Sequence, residues 1–438
     1  MRYRKLGLLL GLVFVAVAVV GTASAASSKS NIQVIKDSQL KALYTTIGGG
    51  AAPQATTRTI ANWWGSTTDG HDGITYGYNM VGSNPNTCSG SSCSTTIQVD
   101  ITPINVTVAG VTFSGQDVLP ATLASPEFAT NDYGSTPNAT IASCTYDAGP
   151  AGILAGSSCG GAGGTLSGGD AGNLLQLEDA TMRAQFNKTG SSPYHLTLHP
   201  NVLPAVNITV PSNQGTLLQS GRGVVFASVD IGWWSSQIKN LETQADPTHL
   251  PLYLTNNIML FEGKDPNNCC VIGYHGTMPV GLGLGSGNTN GNAKIQTFAW
   301  ASWVQPGIYA RPDHGTDWAL QDIHALSHEI SEWADDPFVD NWVEPWLTPT
   351  APQYGCTNIL ETGDPVVGIG FAMGTNTFEQ GPNPNGTTST DGYYHPEDEV
   401  FLPWFMRTSP NTVSEDGRYT LMGDLNPFPG FQAPATGC

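Results

Sequence analysis

The fold is decided by the stretch HALSHEISEWADDP, residues 324–337, which predicts one helix with histidines and acids on it. We expect this helix to span residues 317–334 and to end before Pro337, since the residue that precedes a proline avoids helical angles. On a helix, residues i and i+4 lie on one face with Cβ atoms about 5–6 Å apart. His328 and Glu332 can therefore bind one metal ion together, and Glu329, one position further round, is placed to act on water beside that ion.

The pattern His-Glu-x-x-Glu is that of the zinc hydrolase helix His-Glu-x-x-His with a carboxylate in place of the second histidine. In the first of three ligand sets, His328 and Glu332 bind the metal and Glu329 is the general base. In the second set, His324 and His328 bind the metal. Imidazole is a better zinc ligand than carboxylate, but Glu329, the base, then follows the two ligands in sequence instead of lying between them. A set with all three fails, because residues 324 and 332 lie about 12 Å apart along a helix axis.

A third ligand is expected downstream of the helix. Two acids lie beside a turn at residues 361–365, and Glu361 is the preferred ligand, followed by Asp364 and then Glu344. One histidine and two carboxylates suit Zn²⁺, but they also suit a harder ion such as Mn²⁺ or Ca²⁺. Zn²⁺ is the preferred cofactor.

Three further residues are candidates for supporting positions or alternative ligands. Asp336 is placed to orient His328, since a metal-bound histidine commonly donates its other ring nitrogen to a carboxylate. His275 or His324 could stabilise an oxyanion during hydrolysis, although single histidines more often have a structural role.

Two patterns in this region resemble those of a family of secreted bacterial proteins. Residues 327–337 resemble the form Ser-His-Glu-x-x-Glu-Ala-x-x-Asp-Pro, with Trp333 in place of the alanine, and residues 361–364 follow as Glu-x-Gly-Asp. That family is grouped with the zincin-like metallopeptidases, so the resemblance implies a zincin-like fold and a metal-dependent peptidase. It covers residues 323–365, roughly a tenth of the chain. Residues 269–276 show a fainter similarity to the plant exordium-like proteins.

The first 25 residues are those of a secretory signal. Three basic residues precede an apolar run at 6–20, and Ala-Ser-Ala at 23–25 is a small-residue cleavage site. The run is too short for a convincing membrane span, so we expect a secreted or extracytoplasmic protein with no stable span after cleavage. The net charge of −19, which becomes −22 without the three basic residues, excludes nucleic acid as a partner.

Eight cysteines, an even number, predict disulfides in an oxidising compartment. Two pairs are close enough in sequence to close small loops: Cys88 with Cys93, and Cys144 with Cys159. The adjacent Cys269 and Cys270 are expected to bond elsewhere, and the remaining two, Cys356 and Cys438, are their candidate partners.

Apolar periodicity predicts an α+β fold. We expect a strand hairpin at 95–113, strands at 194–199, 224–231, 252–261 and 296–303, and helices at 31–47, 174–186, 233–243 and 317–334. A glycine-rich loop is expected at 148–173. We divide the chain into a signal at 1–25, a β-rich region at 26–222 and a zincin-like mixed α/β domain at 223–438 that contains the central metal-binding helix.

The sequence thus favours a secreted metal-dependent hydrolase, above all a zinc peptidase that acts on extracellular peptides or proteins. The alternative is a non-catalytic extracellular protein that binds carbohydrate or mediates adhesion. That alternative depends on aromatic side chains that could stack on sugars: Trp233, Trp234, Trp342 and Trp346.

Overall fold

The structure is a computed structural model. The described residues are 32–36, 43–44, 57–132, 141–142, 174–188, 191–280, 294–309, 320–347, 356–370, 372–378, 392–409, 419–421 and 435–438. The predicted signal at 1–25, the glycine-rich loop at 148–173 and the pair Cys144–Cys159 lie outside them. The described residues from Gln33 onward belong to one compact unit.

The described residues form 21 strands and five α-helices. In chain order, the strands are β1 (Gln33–Val34), β2 (Leu43–Tyr44), β3 (Thr57–Arg58), β4 (Asn62–Thr68), β5 (Thr75–Val81), β6 (Ser94–Val108), β7 (Val111–Ser114), β8 (Asn131–Asp132), β9 (Ile141–Ala142), β10 (Leu174–Leu175), β11 (His195–Val202), β12 (Val206–Thr209), β13 (Gly215–Gln219), β14 (Val225–Asp230), β15 (Leu250–Asn256), β16 (Ile258–Phe261), β17 (Cys269–Val280), β18 (Lys294–Trp303), β19 (Trp342–Leu347), β20 (Cys356–Ile359) and β21 (Ala372–Met373). The helices are α1 (Gly115–Ala124), α2 (Leu177–Gln185), α3 (Ile231–Glu242), α4 (His324–Asp335) and α5 (Leu402–Phe405).

Thirteen of the strands form one mixed sheet. Its central path runs β1-β13-β14-β16-β17-β18-β15-β6-β11, while β2, β3, β7 and β12 each pair with a strand of that path. The strands β18, β15, β6 and β11 are parallel neighbours, whereas β17 is antiparallel to both β16 and β18. The protein is therefore mixed α/β and rich in strands, as the sequence predicts at this coarse level.

Helix α4 lies against β17 and β18. The indole N–H of Trp333 donates a hydrogen bond of 3.0 Å to the Thr297 hydroxyl of β18. Where the helix is closest the strands have small residues: Gly273 pairs with Ala301, and a Cβ on Gly273 would lie 2.5 Å from the Glu329 carboxylate. This close packing brings the acids of α4 onto the sheet.

The opposite face of the same strands is aromatic. Tyr274 follows Gly273 on β17 and therefore points to the other side of the sheet. Its ring centroid lies 5.2 Å from that of Trp300, which in turn lies 5.8 Å from Trp234 of α3. All three rings are buried, so α3 covers one face of the sheet and α4 covers the other.

Most of the predicted elements are present. The hairpin is confirmed as β6 and β7, joined at Ala109 and Gly110, which both have positive φ as a two-residue hairpin turn requires. Helices α2 and α3 begin and end within three residues of their predicted bounds. The strand predicted at 252–261 is two strands, β15 and β16, because Asn257 between them has a φ of 51°.

Two helix predictions need correction. The helix predicted at 31–47 is wrong where the structure describes it, because β1 pairs with β13 and β2 pairs with β17. Helix α4 begins at His324 and not at residue 317 as predicted. Asp322 has a φ of 42°, which a right-handed helix cannot include.

The predicted boundary near residue 222 runs through the main sheet. Strands from the 26–222 region, β6 and β11, are in the same sheet as β14 to β18. In particular β6 pairs in parallel with β15 over residues 250–254. The two regions therefore share one sheet and one set of backbone hydrogen bonds.

Three disulfides join described cysteines. Cys88 bonds to Cys93, as predicted. The prediction for the other four cysteines is wrong, since Cys269 bonds to its neighbour Cys270 and Cys356 bonds to Cys438. The second of these bonds joins β20 to the C-terminus, not to β17. Such bonds are compatible with an extracytoplasmic location.

In the described part of the chain, every helix is too short or too polar to span a lipid bilayer.

Candidate metal centre

The centre begins with one face of helix α4. His328, Glu329 and Glu332 are all buried there. The Nε2 atom of His328 lies 3.1 Å from Oε1 of Glu332. Two ligand atoms bound to one cation by bonds of about 2.0–2.2 Å lie roughly 3.0–3.5 Å apart, so this pair is spaced as two ligands of one ion.

The other ring nitrogen of His328 is held by Glu397, on the chain segment that precedes α5. Its Nδ1 lies 2.5 Å from Oε2 of Glu397. The backbone N–H of Glu397 donates to the Ser327 hydroxyl at 2.9 Å, and its second oxygen lies 3.4 Å from Nε2 of His324. Glu397 thereby fixes the orientation of the His328 ring, so that Nε2 faces Glu332.

The loop after β20 closes the centre from a second side. The backbone N–H groups of Gly363 and Asp364 lie 3.3 and 3.2 Å from Oε1 of Glu332, to which they donate. Oδ1 of Asp364 lies 4.0 Å from Nε2 of His328. A Cβ on Gly363 would lie 2.2 Å from Nδ1 of His328. Only glycine lets this loop approach the histidine so closely.

Strand β17 contributes His275 from a third side. Its Nδ1 lies 3.4 Å from Glu332 and 3.5 Å from Glu329, and its Nε2 lies 3.9 Å from Glu361. The side chain is fully buried. Among the described residues, neither ring nitrogen of His275 and neither carboxylate oxygen of Glu361 or Glu329 makes a hydrogen bond. Unpaired polar atoms in so buried a site fit a place where a cation binds.

These side chains form two groups of three potential ligands, and Glu332 belongs to both. One group is His275, Glu332 and Glu361, and the other is His328, Glu332 and Asp364. In each group the three ligand atoms lie within 4.8 Å of one another. The preferred set from the sequence, His328, Glu332 and Glu361, is thus divided between the two groups: Glu361 is nearer to His275, and Asp364 is nearer to His328.

Burial and charge shift the pKa values of these groups. Burial raises the pKa of Glu329 to about 7, although His275 beside it opposes the shift. Burial alone would lower the pKa of His275, but Glu329 and Glu332 raise it to about 10. Burial disfavours the charged form of Glu332 as well, yet His328 and His275 hold the pKa of Glu332 below its ordinary value. Glu332 is therefore the acid of the centre that is most readily kept as a carboxylate.

The remaining predicted site residues lie around the centre or away from it. Asp336 does not hold His328 as predicted; its carboxylate accepts the backbone N–H groups of Asp340 and Asn341 at the end of α4. His324 is buried beside Glu397 and is in neither ligand group. Glu344 contacts Arg407 and His71 instead of the centre.

A third group of acids near the surface, Asp69, Asp72 and Glu344, has the spacing of metal ligands. The guanidinium of Arg407 lies 3.4 Å from Asp69 and 3.3 Å from Glu344. One positive charge therefore already offsets part of the negative charge of this group.

The aromatic residues of the carbohydrate-binding alternative do not form one surface. Trp234 and Trp346 are buried in the core, and Trp342 is half exposed. Two of the four residues are therefore not accessible for stacking on a sugar.

Sequence reasoning missed Glu397, Gly273 and the role of Gly363. The only signal for Glu397 is the acidic run Glu397-Asp398-Glu399 after His395, 69 residues beyond His328. Nothing in a single sequence places that run against α4. Gly273 has a visible signal, as it interrupts an otherwise apolar strand two residues before His275, and glycine inside a strand often marks a close approach.

In comparisons with known proteins, no family model, no curated protein and no solved structure matches this chain. The function is therefore argued from the centre itself.

Proposed function

We propose that this protein is a secreted metal-dependent hydrolase, a peptidase whose cation is bound by His328 and Glu332. One observation supports this above the others: His328 Nε2 and Glu332 Oε1 lie 3.1 Å apart on one helix face, with Glu397 at 2.5 Å behind the imidazole. A carboxylate behind a histidine is the arrangement that orients histidine ligands at metal sites. A salt bridge between His328 and Glu332 alone would not require it.

The available donors fit a divalent cation. Asp364, which is grouped with His328 and Glu332, is the third ligand that the geometry favours, whereas Glu361, the ligand preferred from the sequence, is grouped with His275 and Glu332. A set of one imidazole and two carboxylates is compatible with Zn²⁺, our preferred ion, and with Mn²⁺ or Ca²⁺. Both oxygens of Glu361 lack a hydrogen bond among the described residues, so its carboxylate has free lone pairs to offer.

A bound cation would polarise the scissile carbonyl and acidify water. Glu329, one residue round the helix from His328, takes the proton of the attacking water and passes it to the leaving amine. Glu397 keeps the His328 ring in one orientation throughout. The backbone N–H groups of Gly363 and Asp364 donate to Oε1 of Glu332, and hydrogen bonds to a carboxylate favour its ionised form.

The same proposal includes the fold type and the compartment. A helix with a His-Glu-x-x-Glu pattern packed on a mixed sheet is consistent with a zincin-like arrangement and with the family resemblance of residues 323–365. The three disulfides between described cysteines are compatible with secretion. The proposed substrates are extracellular peptides or proteins.

The test is Glu329→Gln in the purified, metal-loaded protein, assayed on a fluorescent casein and on a mixed peptide library. We expect hydrolysis to fall about 10²–10⁴-fold, the usual contribution of a general base. Bound metal, measured by elemental analysis, should stay at the wild-type level because Glu329 is not a proposed ligand. The exposed Glu262→Gln is the matched control and should retain full activity.

Full hydrolysis in Glu329→Gln would reject the assigned base. A wild-type protein that binds metal but cleaves none of these substrates would reject the peptidase proposal and leave the metal site intact.

A further inference from the structure

Glu332 belongs to both ligand groups, and each of its oxygens faces a different histidine. Oε1 lies 3.1 Å from Nε2 of His328, and Oε2 lies 3.4 Å from Nδ1 of His275. We infer that the centre holds two divalent cations and that the Glu332 carboxylate bridges them, with one oxygen to each. This inference rests on the proposed function, because it adds a second cation to the metal site proposed above.

The distances suit two ions better than one. Both contacts of Glu332 fall in the range of roughly 3.0–3.5 Å expected for two donors on the same cation. Each histidine also has an acid of its own: Asp364 completes the group of His328, and Glu361 completes the group of His275. Among the described residues, no group with this spacing unites His328 with Glu361. One ion between the two histidines would leave one of these acids unused.

The His275 side of the centre has the buried polar atoms that a ligand would satisfy. The side chain of His275 is fully buried, and that of Glu361 is only 5 % exposed. Neither ring nitrogen of His275 and neither oxygen of Glu361 makes a hydrogen bond within the described part of the chain. Hydrogen-bonding atoms are seldom left unsatisfied in a protein interior. A cation between the two side chains would satisfy one ring nitrogen of His275 and the carboxylate of Glu361 at once.

Charge points to the same number of ions. The two groups contain three carboxylates, those of Glu332, Glu361 and Asp364, and Glu329 adds a fourth at 3.5 Å from His275. The described ion pairs of Glu329, Glu332 and Glu361 are with histidines. One dication would leave a buried net negative charge, which is costly in a protein interior. Glu397, which lies 2.5 Å from Nδ1 of His328, is a fifth acid at the centre. Two dications offset most of this charge and one offsets less than half, while both imidazoles serve as neutral ligands.

The two positions differ in their access to water. All three residues of the His275 group are buried, whereas the Asp364 side chain of the His328 group is 28 % exposed. We therefore assign the His328 position as the outer one, which exchanges its ion quickly, and the His275 position as the inner one, which exchanges slowly. Paired cations about 3.5–4 Å apart are a known arrangement for hydrolysis, in which both ions act on one substrate.

The experiment is metal stoichiometry on the full chain, loaded separately with Zn²⁺ and Mn²⁺ and then passed through a metal-free column. We expect two ions per wild-type chain and one per chain of His275→Ala. With Mn²⁺, electron paramagnetic resonance should show two coupled ions in the wild type and a single isolated ion in the variant. Asp72→Asn, in the surface group of acids, is the control and should keep two.

The outcomes separate the inference from the proposed function. One ion per wild-type chain would overturn the second site and leave the first, and no ion would overturn both. Two ions without magnetic coupling would overturn the Glu332 bridge. Loss of an ion in Asp72→Asn would move the second site to the surface and overturn the inference. If His275→Ala does not fold, the number of ions per wild-type chain and the Mn²⁺ spectrum of the wild type still test whether two bridged ions are bound.

Discussion

Glu397 is the residue that favours the proposed role of His328 as a metal ligand over that of an ordinary buried histidine. At 2.5 Å from Nδ1 of His328 it sets the direction of the ring, yet it is in neither ligand group. We predict that Glu397→Gln weakens metal binding about 10–100-fold, the usual effect of losing such a partner. Competition with a fluorescent chelator measures the affinity. His328→Ala should abolish binding at the outer position, and an unchanged affinity in Glu397→Gln would reject the orienting role.

Gly363 gives a second prediction at this scale. A Cβ there would lie 2.2 Å from the His328 ring, so Gly363→Ala should displace the loop or the ring. We expect a loss of about 1–3 kcal/mol in the free energy of unfolding, as for other overpacked sites, together with weaker metal binding. The matched control is Gly77→Ala in β5, where a Cβ would meet no atom closer than 3.9 Å. Urea unfolding measures the stability of both variants. An equal loss of stability in Gly363→Ala and Gly77→Ala would contradict the argument.

The part of the site on one helix turn could be predicted from the sequence, and the rest could not. The i,i+4 relation of His328 and Glu332 is local geometry, and a helix fixes it whatever the fold. Glu397 reaches the same histidine across 69 residues, and His275 comes from a neighbouring strand. Such contacts depend on how different elements pack against each other. The spacing of residues within one element cannot predict that packing.

At the scale of elements, helix α3 ends in a carboxyl group that the fold buries. Glu242 is fully buried, and burial raises the pKa of its carboxyl from 4.5 to about 8, although the Tyr253 hydroxyl beside it opposes the shift. In the unfolded chain the group ionises near its ordinary pKa of 4.5. Its contribution to stability is therefore fully present below pH 4.5 and is lost as the pH rises through 8.

We predict that the free energy of unfolding depends less on pH in Glu242→Gln than in the wild type. Between pH 5 and pH 8 the wild type should lose roughly 2–4 kcal/mol more free energy of unfolding than the variant. Chemical denaturation at a series of pH values measures the difference. The exposed Glu262→Gln is the control, and its profile should run parallel to that of the wild type. Parallel profiles for Glu242→Gln as well would show that Glu242 is not the group responsible.

Elements with a strong periodic pattern of apolar residues could be predicted from the sequence. Short strands that form only by pairing with a distant strand could not. Alternating β-branched residues place β6 and β7 correctly because one face of the hairpin is buried whatever lies beside it. Residues 31–47 have helix-like spacing, but their described parts form the short strands β1 and β2. Pairing with β13 and β17 satisfies their backbone groups, and tertiary pairing of this kind overrides local propensity.

At the scale of the whole molecule, a disulfide joins Cys438 to the chain segment that precedes the Glu361 turn of the candidate metal centre. Cys438 bonds to Cys356 at the start of β20, and Glu361 follows five residues later. The backbone N–H of Ala435 donates to the Trp404 carbonyl at 3.1 Å, and that of Leu347 donates to the Thr436 carbonyl at 3.2 Å. The disulfide therefore closes a long loop that includes the Glu361 turn and Glu397.

The length of that loop predicts its effect on stability. Cross-linking two cysteines 82 residues apart restricts the unfolded chain far more than closing the five-residue step from Cys88 to Cys93. In the chain-entropy account, the long loop contributes about 4–5 kcal/mol and the short loop about 2 kcal/mol. We predict that replacing Cys356 and Cys438 together by serine lowers the free energy of unfolding by roughly twice as much as replacing Cys88 and Cys93. Urea unfolding of the two double variants measures this, and equal losses would mean that strain or local packing, and not loop length, sets the contribution of each bond.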